Sequence, residues 1–167
     1  MPSQFSSIVV AASAQKVWAA IRPFDSFAWA NPDSSKPHMP TIIKNGKAAD
    51  AVGAVREISL LGGAVVVETL LALSDRFDTV QGAFYTYKID EAPFPVERYV
   101  ATISVQKVSL NQSGPTADKC FVRWEASWST PAGTEGANVP AQIQGLFDGS
   151  LIQLAKNFAA AAVVVGH

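Results

Sequence analysis

One cysteine and two histidines are a meagre stock for metal or disulfide chemistry. Cys120 has no partner for an internal bridge, and His38 sits in the Pro-rich run PDSSKPHMP without a second ligand nearby in sequence. Charge is scarce as well: Asp, Glu, Lys and Arg make up 16% of the residues, and the net charge is −1. No cluster of Lys or Arg offers a nucleic-acid surface, so no nucleic-acid partner is expected. Phosphate loops and dinucleotide fingerprints are missing, so the expected cofactor complement is none, and the expected metal none. No nucleophile elbow accompanies His38, which reads as a surface-loop residue. No apolar run reaches the ~20 residues that cross a bilayer. The N-terminus MPSQFSSIVVAASA lacks a basic start and the C-terminal FAAAAVVV is short, so the expectation is a cytoplasmic protein with no membrane partner.

What is plentiful is apolar side chain, 49% of the residues. In a chain of 167 residues, expected to form a single domain over 1–167, that abundance implies a large core or a lined cavity. Residues 3–11 alternate as a strand. Ser13 can cap a helix over 14–24 with Val17, Trp18, Ile21 and Phe24 at helical spacing. A second short helix should hold Phe27 and Trp29 and stop at Asn31-Pro32. After the loop 32–40, TIIKN reads as a short strand, and further strands follow at 54–60, 64–74, 82–90, 96–109 and 119–129. Gly62-Gly63 marks a tight hairpin and Gly82 a bulge. NQSGPTADK is a hairpin loop. Asn138 should then cap a long helix with Val139, Ile143, Leu146, Phe147, Leu151, Leu154 and Phe158 on one stripe, ending near Gly166. Gly145 and Gly149 on that helix should let it sit close to the sheet or narrow it beside a cavity.

The result is an α+β architecture: a curved antiparallel sheet of about seven strands, two short helices after the first strand, and one long helix to cover the sheet. A sheet curled around a helix leaves a cavity between them. In YVATISV, Tyr99 shares a strand face with Ala101, Ile103 and Val105, which puts its ring inside and its hydroxyl toward a polar partner. Arg56, Glu68 and Tyr87 stand on other apolar strands, and Tyr85 shares the face of Tyr87. Residues 56 and 68 are symmetric about Gly62, which places them opposite each other in a hairpin of matching register. The pair has two readings: a proton-transfer pair in an apolar cavity, or a structural salt bridge. Expected apolar walls are Val66, Leu70, Ile103, Trp124, Phe147, Leu151 and Leu154, with Ser150 one turn after Phe147 facing the ligand. Cys120 reads as an inert thiol.

This order of elements resembles the helix-grip fold of the START-like superfamily, which includes birch-pollen-allergen-like proteins and the polyketide cyclase/dehydrase families. The resemblance covers nearly the whole chain, through VWAAIRPFDSFAWANP, Gly53 to Arg56 and the last helix. The VRE at Arg56, VETL at Glu68, YKI at Tyr87, ERYVATISV at Tyr99 and VRW before Glu125 are similar to the plant lachrymatory-factor-synthase branch. The resemblance implies that Arg56, Glu68, Tyr87 and Tyr99 line the cavity and that Arg56 and Glu68 are catalytic; Tyr85 is an alternative to Tyr87.

Three readings of function follow. One is a lyase, isomerase or cyclase without a cofactor, with Arg56 anchoring an oxygen and Glu68 moving a proton. Another is a carrier or sensor of a hydrophobic metabolite. A third, an interaction module, would have an exposed apolar patch and a cavity filled by side chains. The expected partner is a small hydrophobic molecule, and the chain is expected to be a monomer or homodimer.

Overall fold

The computed structural model describes residues 1–30, 40–60, 62–108, 119–134 and 137–161. Asn31-Pro32, His38, the loop 111–118 and Gly166 lie outside the described residues. In chain order the elements are β1 (Ser3–Val10), α1 (Ala14–Ile21), a 3-10 turn (Ala28–Ala30), β2 (Thr41–Ile43), β3 (Val55–Ser59), β4 (Val65–Ser74), β5 (Ala83–Glu91), β6 (Glu97–Lys107), β7 (Cys120–Ser129) and α2 (Val139–Ala161). The strands make one curved antiparallel sheet in the order β1-β7-β6-β5-β4-β3-β2. From β2 to β7 each strand pairs with its neighbour in the chain; β1 alone crosses over, to pair with β7. This is the helix-grip arrangement expected from the sequence.

Local chemistry explains the ends. The Ser13 hydroxyl accepts from Lys16 N–H at 3.4 Å and starts α1. The helix stops at Ile21, three residues before the end read from periodicity, because Pro23 has no N–H with which to continue the ladder. The second helix is a single 3-10 turn that carries Trp29, with Phe27 just before it. Asn138 precedes α2 at φ 47°, a left-handed conformation that asparagine tolerates better than most residues. No helix among the described residues is long and apolar enough to cross a membrane.

Gly82 does not form a bulge. It closes the turn before β5 at φ 72°, with its N–H on the Thr79 carbonyl at 3.1 Å, against the backbone of Val105. The register shifts lie elsewhere. One, between Leu70 and Ala72, leaves Leu71 as the extra residue, so Leu70 meets Tyr87 and Leu73 meets Tyr85 on the inner face. Another, between Glu97 and Val100, contains Arg98 at φ 52°.

The concave face is covered by α2. Val139, Ile143, Phe147, Leu151 and Leu154 are buried, and the Phe147 ring stacks on Trp124 at 4.2 Å. Polar contacts fix the helix to the β1 edge: the Ser6 hydroxyl donates to Asp148 at 2.5 Å, and the Gln144 amide donates to the Phe5 carbonyl at 3.3 Å. Gly145 and Gly149 make no close approach; a Cβ at either position would meet nothing within 4 Å. Because α2 is tied toward β1, space is left under the opposite part of the sheet.

Candidate functional site

The β3–β4 hairpin turns at Gly62-Gly63, both at positive φ, and pairs Arg56 directly with Glu68. Both side chains point inward. Arg56 is fully buried and Glu68 is 4% exposed. Arg56 Nε donates to Glu68 Oε2 at 2.6 Å, and Nη1 donates to the Phe24 carbonyl at 3.0 Å. The guanidinium also lies over the Phe24 ring, 4.0 Å from its centre. Nη2 has no hydrogen-bond partner.

A cavity of about 210 Å³ opens beside this pair. Its walls are Ile58 on β3 and Leu60 in the connection after it, Val66 and Glu68 on β4, Tyr87 and Ile89 on β5, Tyr99 on β6 and Trp124 on β7. Phe27 and Phe94 close the sides, while Gln142, Ile143 and Leu146 of α2 form the remaining wall. Leu146 is 43% exposed, which places the mouth at this part of the helix.

Of the residues singled out in the sequence, Glu68, Tyr87, Tyr99, Trp124 and Val66 line this cavity. Arg56 does not: it stands behind Glu68, sealed by Phe24. Tyr85 packs between Trp18 and Phe24, with Arg56 near its ring, and is also off the wall. Leu70, Ile103, Phe147, Leu151 and Leu154 are placed in the packed core rather than on this wall. Ser150 is likewise buried away from it, and its hydroxyl is unpartnered. The sequence reading did not assign Ile58, Leu60, Ile89, Phe94, Gln142 and Leu146 to the cavity. Ile58 and Ile89 had a signal, since each is two residues beyond an inward polar residue on the same strand. Leu60 and Phe94 lie in connections, where no periodicity points inward.

The electrostatics follow from burial. Removal from water pushes the Glu68 carboxyl above its ordinary range, and the charge and hydrogen bond of Arg56 pull it partly back. For Arg56, burial acts against the charge, but Glu68, Tyr85 and Tyr87 outweigh it and the guanidinium stays cationic. Burial raises the Tyr87 phenol well above its usual value and raises Tyr99 as well, so both remain neutral donors near neutral pH. The Trp124 indole N–H donates to Tyr87 Oη at 3.1 Å. Tyr99 is aimed inward by the register shift at Arg98, and its ring lies against Trp128 at 6.2 Å. Apart from Gln142 on α2, the cavity is thus apolar except where the Glu68 carboxyl and two phenols meet. Cys120 is buried on β7, and its thiol is pushed up to about 11 by burial. Among the described residues, no group of three or more His, Cys, Asp or Glu side chains gathers that could hold a metal.

Comparison with known proteins bears on the family and the fold. No curated protein matches the chain. The protein XoxI from Bacillus cereus has a similar structure at 25% identity and a TM-score of 0.73, covering 95% of this chain and 96% of its own. A protein from Nitrosospira multiformis is similar at 28% identity and a TM-score of 0.71, covering 94% and 96%. Norcoclaurine synthase from Thalictrum flavum, seen in complex with dopamine and hydroxybenzaldehyde, shares the fold at 15% identity and a TM-score of 0.65, over 93% of this chain and 85% of its own. The family model described as polyketide cyclase/dehydrase and lipid transport matches residues 3–159, and the chain belongs to that family.

Proposed function

We propose that the chain binds a small, largely apolar organic molecule in this cavity, and that Glu68 moves a proton on it. One observation carries the reading: a buried carboxyl and two neutral phenols share one end of a space whose other walls, Gln142 apart, are apolar. A molecule seated there places its oxygen on Tyr87 and Tyr99, which donate where negative charge develops. Glu68, its carboxyl raised by burial, exchanges the proton. Arg56 holds the carboxylate in place through Nε and is held in turn by the Phe24 carbonyl. In this proposal the phenols, rather than Arg56, anchor the substrate oxygen. The cavity volume of about 210 Å³ suits a molecule of one or two rings, given that a dry cavity of roughly 150 Å³ takes up benzene. An interaction module would have this space filled by its own side chains.

A native mass spectrum of the purified chain, repeated after denaturation, identifies a retained molecule and from it a substrate panel. Glu68→Gln should keep affinity within about threefold and lose turnover by roughly a hundredfold or more. A carrier would change only in affinity. Turnover unaffected by Glu68→Gln would overturn the proton-transfer assignment.

A further inference from the structure

We propose that Trp124 is a positioning residue: by donating its indole N–H to Tyr87 Oη, it turns the Tyr87 hydroxyl proton toward the cavity, so that the site selects ligands whose polar end accepts a hydrogen bond. The inference rests on the cavity reading above and names the chemistry of its ligand.

An indole nitrogen is a donor only. At 3.1 Å from Trp124 Nε1, Tyr87 Oη is therefore the acceptor, and its own proton cannot lie along that line. Both residues are buried, 1% and 2% exposed, and both stand on the cavity wall. Trp124 has little freedom to turn away. Phe147 is stacked on it at 4.2 Å, Trp29 packs at 5.4 Å and Phe27 meets it edge-on at 6.2 Å. The directions left to the Tyr87 proton are the Tyr99 hydroxyl, which lies within hydrogen-bonding reach, and the cavity that both phenols line, where a ligand oxygen competes with Tyr99 for it. A hydroxyl that already accepts one hydrogen bond is also a stronger donor of the next. A carbonyl or ether oxygen fits this end, whereas an apolar group of the same shape leaves the oriented proton unpaired.

Acetophenone and α-methylstyrene test this, since they differ only by C=O against C=CH2. Their dissociation constants are measured by NMR titration on the native chain, Trp124→Phe, Tyr87→Phe and the double variant. The ratio of the two constants cancels effects on cavity shape. Its preference for the ketone should fall about fivefold in each single variant, the worth of one modest hydrogen bond. The double variant should fall no further, because both changes act through one proton. The carbonyl stretch of bound acetophenone should move to higher frequency in Trp124→Phe, which a purely structural role would not produce. Benzothienylalanine at position 124, of the same shape but without the N–H, should reproduce the result where Trp124→Phe does not fold. A ketone preference untouched at position 124 but lost in Tyr87→Phe or Tyr99→Phe overturns the role of Trp124. Failure of both probes to bind the native chain overturns the cavity reading itself.

Discussion

Removing either member of the Arg56–Glu68 pair strands the other away from bulk water. Arg56→Leu should cost about 3–5 kcal/mol in denaturant unfolding, because the Glu68 carboxyl is left unpaired. Replacing both residues with leucine should recover most of that loss; a single variant as stable as the native chain would show that the pair is solvated. The pH dependence has a definite sign. Burial raises the Glu68 carboxyl above its ordinary 4.5, so the folded chain holds this proton more tightly than the unfolded one. The stability from that proton is complete below 4.5 and is lost as pH rises through the higher folded value. Melting temperatures from pH 4 upward should therefore fall for the native chain relative to Glu68→Gln. A gap that moves in the native chain's favour would mean that attraction to Arg56 outweighs burial. The pairing was legible in the sequence, since hairpin symmetry about Gly62 needs only counting. That Arg56 stands behind the carboxylate was not, because its second anchor is the Phe24 carbonyl, contributed by a connection 32 residues away.

Glycine shows why elements are read less securely than residues. Gly82 and Gly145 look alike in sequence, one beside a strand and one inside a helix. At Gly82 a Cβ would stand 2.2 Å from the Val105 carbonyl, at φ 72°, so alanine there forces backbone apart. Gly82→Ala should cost more than about 2 kcal/mol and disturb the β5–β6 pairing. At Gly145 and Gly149 there is open space, and alanine should stabilise α2 by about 0.5–1 kcal/mol at each position. Thermal or denaturant unfolding distinguishes these signs; a destabilised Gly145→Ala would reveal a neighbour that the helix surface lacks in this structure. The strand faces themselves were readable, since Tyr99, Ala101, Ile103 and Val105 are all buried as alternation requires. The shifts at Leu71 and Arg98 were not, because a bulge adds a residue without changing the hydrophobic pattern on either side.

Across the whole molecule, the same inner face serves two purposes. Leu70, Ile103, Phe147, Leu151 and Leu154 are buried in the core without lining the cavity described. Under the β3–β5 part, Ile58, Val66 and Ile89 line the cavity. Sequence periodicity marks a residue as inward but carries no information on whether the inward space is occupied. That depends on where α2 is tied, which the Ser6–Asp148 and Gln144–Phe5 contacts decide from the far edge of the sheet. The expected walls therefore divided between core and cavity along a line that composition could not draw. Empty apolar space of this kind costs stability, which a larger side chain on its wall can return. Val66 is the position to fill, at 7% exposure and facing the cavity between Ile58 and Glu68. Val66→Phe adds about four carbon atoms to the wall and should raise stability by about 1 kcal/mol while abolishing acetophenone binding. Unfolding and titration of one sample read both effects together. Loss of stability by 1–3 kcal/mol, the usual cost of overpacking, would show instead that the surrounding strands close on this space in solution.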